Sequence, residues 1–395
     1  MDHNLSYVLV TPYTIAKSRF GGVLSRLLSR TDLELVGAQL FTPDEIFARD
    51  YADSLRIRAP QNQIMLLADY CEQNLMPSMG RPHRTLLLLF RGKNPCEQLL
   101  NACGHIYTDH IGVDALSGET IRDTYADLIF SGEQTDEVKY FEPAVLTPRR
   151  QNEADQDLEF FARSLKGKAN IVQNITYPDP SKIEETLVIL KPDNWVFNSS
   201  KPGTIIDLFS RTGLRVIGIK VHRFALTEAL DFYGPVEQVL KEKLKSSFAR
   251  RARELLETEF NFHLDDAMEQ ILTESVGVEC ARDQFCQLVE FMSGRHPDTD
   301  SLENPDKRGN VKCMILIYEG ENAIQKIRNV LGPTDPLKAP DGTVRREFGS
   351  SVMVNTAHAS DSAESYEREK KIVKTNENSL VSIIENYIAQ VRAGN

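Results

Sequence analysis

Leu187-Val188-Ile189-Leu190-Lys191-Pro192 decides how this chain is read, because Tyr7-Val8-Leu9-Val10-Thr11-Pro12 stands earlier as its counterpart. Both are short apolar, β-branched runs stopped by proline, the pattern of a buried strand. Working outward, the same order follows each. Residues 20–40 and 202–224 each read as an amphipathic helix and then a strand. The first has Val23, Leu24, Leu27 and Leu28 before Leu33-Glu34-Leu35-Val36-Gly37, the second Ile205, Ile206, Leu208 and Phe209 before Leu214-Arg215-Val216-Ile217-Gly218. A third strand is expected at 85–90 and again at 313–318, and Gly118-Glu119-Thr120-Ile121-Arg122 is mirrored by Gly342-Thr343-Val344-Arg345. A repeat this long is a duplicated domain rather than a solenoid. Strand–helix–strand–strand–helix–strand is the ferredoxin-like split βαβ plan. The fold class is therefore α/β of the α+β type, with two ferredoxin-like βαββαβ domains.

The expected boundaries are 1–145 for the first domain, 146–182 for a linker and 183–395 for the second. Within the linker, Leu158, Phe160, Phe161 and Leu165 fit one helix over 155–165, and Tyr177-Pro178-Asp179-Pro180-Ser181 closes it. A helical insertion is expected at about 236–283, where Leu240, Leu244, Phe248, Ala252, Leu255 and Leu256 recur at helical spacing. Arg250, Arg251 and Arg253 cluster there and read either as a solvated face or as a contact to phosphate or a partner. A smaller polar loop insertion is expected at about 297–310.

The bulk numbers restrict the function classes. At 395 residues the chain has room for two domains. Its 41% hydrophobic and 26% charged residues are those of a globular protein. No apolar run approaches the roughly 20 residues of a membrane helix. Met1-Asp2-His3-Asn4 carries no basic region and no apolar signal core. The six cysteines show no C-x-x-C pair and no zinc spacing, so reduced thiols and a cytoplasmic location are expected. A net charge of −11 argues against general affinity for nucleic acid. No P-loop, H-E-x-x-H or EF-hand pattern occurs.

The chemistry concentrates in Asn355-Thr356-Ala357-His358-Ala359-Ser360-Asp361-Ser362, one histidine among small residues just before a Glu-rich run at 363–371. Small neighbours leave an imidazole open to a large, charged substrate. The stretch resembles the N-x-x-H-G-S-D-S motif of nucleoside-diphosphate kinases, with Ala359 in place of the glycine. The resemblance covers 184–375 well and 5–140 weakly. It implies transfer of the γ-phosphoryl of ATP to nucleoside diphosphates by a ping-pong route through phosphohistidine at His358. Magnesium would be carried by the nucleotide phosphates, with Asp361 as a possible contact.

Phosphoryl transfer needs cations around the transferred group and a nucleophile in line. Lys191, at a strand end beside proline, has no helical role and can point into a cleft. Arg328 lies in a helix expected to end at Gly332, a plausible C-cap, with Thr334 following as a hydroxyl donor. Arg345 completes a clamp of one lysine and two arginines, whose forks match phosphate oxygens. The resemblance assigns Tyr233 a place near the histidine, Asn355 the ribose contact, Ser360 a place beside the phosphoryl group, and Glu369 the orientation of His358. On the base-binding side it brings in Leu288 as the aliphatic partner. The aromatic stacking position aligns with Gln284, or with Phe285 if the register slips by one.

The first half reads as catalytically dead. Thr11 stands where Lys191 would, Leu100 where Arg328 would, and 124–144 contain no histidine, although Arg122 and Tyr51 match their counterparts. It is a structural partner or a degenerate nucleotide sensor. The family assembles as oligomers, so a homo-oligomer or an internal pseudo-dimer is expected. Rival readings are a nucleotide-binding regulatory scaffold and a phosphohistidine donor to a protein acceptor.

Overall fold

The computed structural model describes residues 4–58, 62–104, 118–131, 138–300 and 304–394. Two compact units make up the chain: one formed by 1–221, 314–367 and 374–395, the other by 222–313 and 368–373.

The first unit holds both copies of the repeat. Its strands are β1 (Asn4–Val10), β2 (Glu34–Phe41), β3 (Thr85–Gly92), β4 (Asp127–Phe130), β5 (Val138–Glu142), β6 (Val145–Leu146), β7 (Ile183–Leu190), β8 (Arg215–His222), β9 (Cys313–Glu321) and β10 (Ala357–Ala359). One sheet runs β2-β3-β1-β6 and the other β10-β7-β9-β8, so each first strand sits between its third and fourth, as the split βαβ plan requires. The described pairings are antiparallel, with Val8 opposite Leu88 in one sheet and Val188 opposite Leu316 in the other. A two-stranded ribbon, β4-β5, was not anticipated from the sequence.

Side-chain alternation sorts the first sheet into two cores. Val8, Val10, Leu88 and Phe90 face a core that continues into Val188, Leu190, Ile205, Phe209 and Leu316 of the second copy. Leu5, Tyr7, Leu9, Leu87 and Leu89 face the other way. That second core is covered by the helices Glu45–Arg58, Gln151–Leu165 and Leu380–Gly394. The linker helix therefore starts earlier than the expected 155, and the chain's last helix packs beside it on the first copy.

The two copies meet through the helices Phe20–Arg30 and Lys201–Ser210. Glycine makes the close approach possible. A Cβ on Gly203 would lie 2.2 Å from the carbonyl oxygen of Gly21, and one on Gly21 would lie 2.2 Å from Oδ1 of Asp207.

The second unit is largely helical. The helix Leu226–Phe260 runs through Pro235 and ends where Asn261 turns left-handed at φ 52°. Asp265 then caps Asp266–Leu272 by accepting from the Met268 amide at 2.9 Å, a π-helical turn spans Thr273–Gly277, and Val278–Ser293 completes the bundle. Arg253 is tied to Asp266 at 3.0 Å and Glu269 at 2.8 Å, while Arg250 and Arg251 are exposed. The smaller insertion includes a short helix, Pro297–Asp300, and its residues 301–303 lie outside the described residues.

Candidate active site

His358 sits on β10, at the edge of its sheet, opposite Ile189 of β7. The ring is partly exposed. Its strand is held from three sides. The Lys191 amide donates to the Thr356 carbonyl at 2.9 Å, and the Ser360 amide to the Leu187 carbonyl at 3.1 Å. Asn194 Nδ2 donates to the Thr356 carbonyl at 2.7 Å and to the Lys191 carbonyl at 2.9 Å. Thr356 itself is left-handed, φ 75°, and its hydroxyl donates to the Phe348 carbonyl at 3.0 Å. Arg345 adds a fourth tie, donating to the carbonyls of Gly332 and Ala357, each at 3.0 Å.

Lys191 caps the short 3₁₀ turn Pro192–Asn194 without using its side chain. Lys191 is only 5% exposed, and its ammonium group donates to Asn355 Oδ1 at 2.7 Å and to the Met353 carbonyl at 3.1 Å. Asn355 Nδ2 in turn donates to the carbonyls of Thr334 at 3.1 Å and Val352 at 2.7 Å. Asn355 thus joins Lys191 to the Thr334 loop. Arg328 is exposed on the helix Ala323–Leu331, whose end at Gly332, φ 83°, agrees with the expected cap. Asp361 connects the remaining pair. Its carboxyl is held below the usual range, first by the Ser365 hydroxyl at 2.6 Å and then by the charges of Arg328 and His358, against the opposing effect of burial. Lys191, Asn355, Thr334, Arg345, His358, Asp361 and Arg328 therefore form one neighbourhood in the first unit. Ser360 is fully buried behind it.

The other expected residues lie in the second unit. Tyr233 is buried, its ring 5.2 Å from that of Phe232. Glu369 is buried, with Arg368 Nη2 3.6 Å from Oε1. Phe285 is buried on Val278–Ser293 under the Lys241 ammonium at 5.2 Å, and Leu288 is partly exposed on the same helix. Gln284 donates to Cys280 Sγ at 3.3 Å.

The first copy repeats this frame with different chemistry. β6 pairs with β1 so that Leu146 lies opposite Leu9, and Val145 opposite Val10. In β10, Ala357 lies opposite Leu190 and His358 opposite Ile189. With Val10-Thr11-Pro12 equivalent to Leu190-Lys191-Pro192, Leu146 occupies the place of His358. Ala144 shares the left-handed turn of Thr356, φ 61°, and accepts from the Thr11 amide at 3.1 Å. Arg122 donates to the carbonyls of Gly104 and Val145, the last at 2.9 Å, as Arg345 does to Gly332 and Ala357. An acid is buried beside Thr11. Glu142, 2% exposed, accepts from the Thr11 hydroxyl at 2.7 Å, the Tyr70 hydroxyl at 2.6 Å and the Ala144 amide at 3.0 Å. Burial raises its pKa, partly offset by those hydrogen bonds. Tyr51, the counterpart of Tyr233, is buried and its hydroxyl lies 2.8 Å from that of Tyr7. Among the first-copy histidines, His3, His105 and His110 lie outside the described residues.

Sequence reading missed Asn194 and Glu142. A buried-strand proline followed closely by asparagine was the available signal for the first. Nothing local marked the second, since its partners Thr11 and Tyr70 are remote in sequence.

Residues 301–378, which hold this neighbourhood apart from Lys191, match the family model described as nucleoside diphosphate kinase. The nucleoside diphosphate kinase of an Anaeromyxobacter species (strain Fw109-5) is 30% identical over 181 residues, 46% of this chain and 82% of the relative. That of Chlamydia pneumoniae is 28% identical over 182 residues, 46% of this chain and 84% of the relative. That of Hyperthermus butylicus is 44% identical over 91 residues, 23% of this chain and 62% of the relative. On this similarity, together with the motif around His358, the chain belongs to the nucleoside diphosphate kinase family.

Proposed function

We propose that the second copy transfers the γ-phosphoryl of ATP to nucleoside diphosphates through His358, and that the first copy is an inactive structural partner. The supporting observation is the contrast at equivalent positions: a histidine beside Lys191 in one copy, a leucine beside a buried glutamate in the other.

A neutral imidazole nitrogen of His358 attacks the γ-phosphorus, and the bond to the bridging oxygen breaks, leaving ADP with the electron pair. A β-phosphate oxygen of the acceptor diphosphate then attacks the phosphoimidazole, and the P–N bond breaks. Lys191 and Arg328 neutralise the charge that spreads over the phosphoryl oxygens. Arg345 adds its charge and keeps the His358 strand in place. Asn355 and Thr334 position the nucleotide, and Ser360 backs the transferred group. The family resemblance assigns Tyr233 and Glu369 to the orientation of the histidine, and Leu288 with Phe285 to the base side. Asp361, held ionised, offers the hard oxygen donor a magnesium ion prefers. Bound with the nucleotide, that ion would neutralise phosphate charge. The two copies joined through their glycine-bearing helices act as an internal pseudo-dimer.

No helix among the described residues is long and apolar enough to cross a membrane. The test of the reaction class is steady-state exchange between ATP and GDP with both concentrations varied. Parallel double-reciprocal lines are expected. Intersecting lines would exclude the covalent route, and absence of exchange would exclude the kinase reading.

A further inference from the structure

A cleft of about 170 Å³ lies at the seam between the two copies, lined by none of the residues around His358. Its wall includes Arg84, just before β3, and Arg215, the first residue of β8, with Phe20, Ile206, Leu214 and Tyr318 beside them. The two guanidinium groups are held together across the seam. Arg84 donates to the Val216 carbonyl. Arg215 donates to Asn174 Oδ1 at 2.8 Å, and Asn174 Nδ2 donates to the Pro82 carbonyl at 2.7 Å. Among the described residues neither arginine makes an ion pair with a carboxylate. The carboxylate that acts on both is Glu319, and its Oε1 accepts from the Tyr177 hydroxyl at 2.7 Å. The two cations thus face Glu319, and Asp207 acts on the Tyr318 hydroxyl beside them.

Burial lowers the pKa of both groups, that of Arg84 to about 10, with the charge of Arg215 as the second cause there. Both stay charged at neutral pH. Half-buried like charges are costly unless a counter-charge is supplied. A second feature points the same way. Tyr318 is 1% exposed and lines the cleft, and among the described residues its hydroxyl has no hydrogen-bond partner, nor does the buried Nε of Arg215. Buried donors without acceptors are rare in folded proteins.

The geometry points to a second anion site, formed by Arg84 and Arg215 with the Tyr318 hydroxyl, that takes a phosphate group from solution. Paired guanidinium forks suit tetrahedral oxyanions. The phosphate is either inorganic or carried on a small molecule whose apolar part rests on Phe20, Ile206 and Leu214. This site does not depend on the kinase reading, since none of its residues belongs to the His358 neighbourhood.

The experiment is calorimetric titration of the full chain carrying Lys191→Ala, which weakens phosphate binding at the kinase site. Inorganic phosphate and phenyl phosphate are the probes. Saturable binding at one site is expected, at least tenfold weaker when Arg84→Gln and Arg215→Gln are added. Tighter phenyl phosphate would identify an organic phosphate as the occupant, and tighter inorganic phosphate would identify the free ion. Equal affinity with and without the two arginines would overturn the proposal. Should the glutamine variants unfold, Arg84→Lys and Arg215→Lys keep the charge and lose the fork, and unchanged binding there would also count against it. A tungstate-soaked crystal of the wild type should show the anion between the two guanidinium groups, and a bare cleft at saturating tungstate would contradict the site.

Discussion

The two copies of the repeat have the same frame and different side chains at the same spot. Each ends its first strand at a proline, turns left-handed before its fourth, and ties that fourth strand down with an arginine bonded to two carbonyls. In one copy the cleft beside this frame holds Lys191 bonded to Asn355. In the other it holds Glu142 bonded to Thr11 and Tyr70. A triphosphate entering the first would meet cations, and entering the second would meet a carboxylate. The shared arginine therefore belongs to the fold before it belongs to catalysis, and the lysine, histidine and asparagine are what separate the copies chemically.

Exchanging residues between the copies is the most direct way to break this comparison. His358→Ala should lower ATP–GDP exchange by at least about 10³-fold, the scale on which loss of a nucleophile is felt. Adding Leu146→His to that variant should restore nothing, because Glu142 still fills the first cleft; recovered exchange would show that the first copy is not dead for the reason given. Lys191→Thr, which imports the first copy's residue, should reduce kcat by about 10²–10³-fold, the scale of losing one preorganised donor to developing charge. A change confined to KM would place Lys191 in binding alone.

The frame and the cleft were not equally legible in the sequence. Strand order followed from proline-stopped apolar runs and helical spacing, both local signals. The position of Leu146 did not, since only the register of β6 on β1 puts it opposite Leu9. Glu142 was invisible for the same reason: its meaning comes from Thr11 and Tyr70, far away along the chain. The motif around His358 carried the second site because its residues are contiguous. Glu369 and Tyr233, expected beside it, belong to the other compact unit.

The seam between the copies gives two smaller tests. Gly203→Ala places a methyl group 2.2 Å from the Gly21 carbonyl, backbone that cannot move aside cheaply. The expected loss is about 1–3 kcal/mol in denaturant unfolding. An unchanged midpoint would mean the helices do not cross this closely. Asp207 faces the same crossing and titrates high, at about 6, chiefly through burial, with the Gly22 amide and Arg26 opposing. A carboxyl whose folded pKa is raised contributes stability below its unfolded value and loses it as pH rises through the folded one. Asp207→Asn should therefore gain stability over the wild type between pH 4.5 and 7.5, by about 1–2 kcal/mol after allowance for partial exposure. A constant difference across that range would contradict the burial of the carboxylate.

The central claim is that one copy carries the phosphoryl group covalently and the other cannot. It is tested most directly by incubating the protein with Mg-ATP labelled at the γ-phosphate, isolating the labelled peptide, and chasing with GDP. Acid-labile label is expected on the peptide containing His358, with none on any peptide before residue 183 and full discharge as GTP. Label on a first-copy peptide, or none on the wild type where a known nucleoside diphosphate kinase becomes labelled, would contradict it.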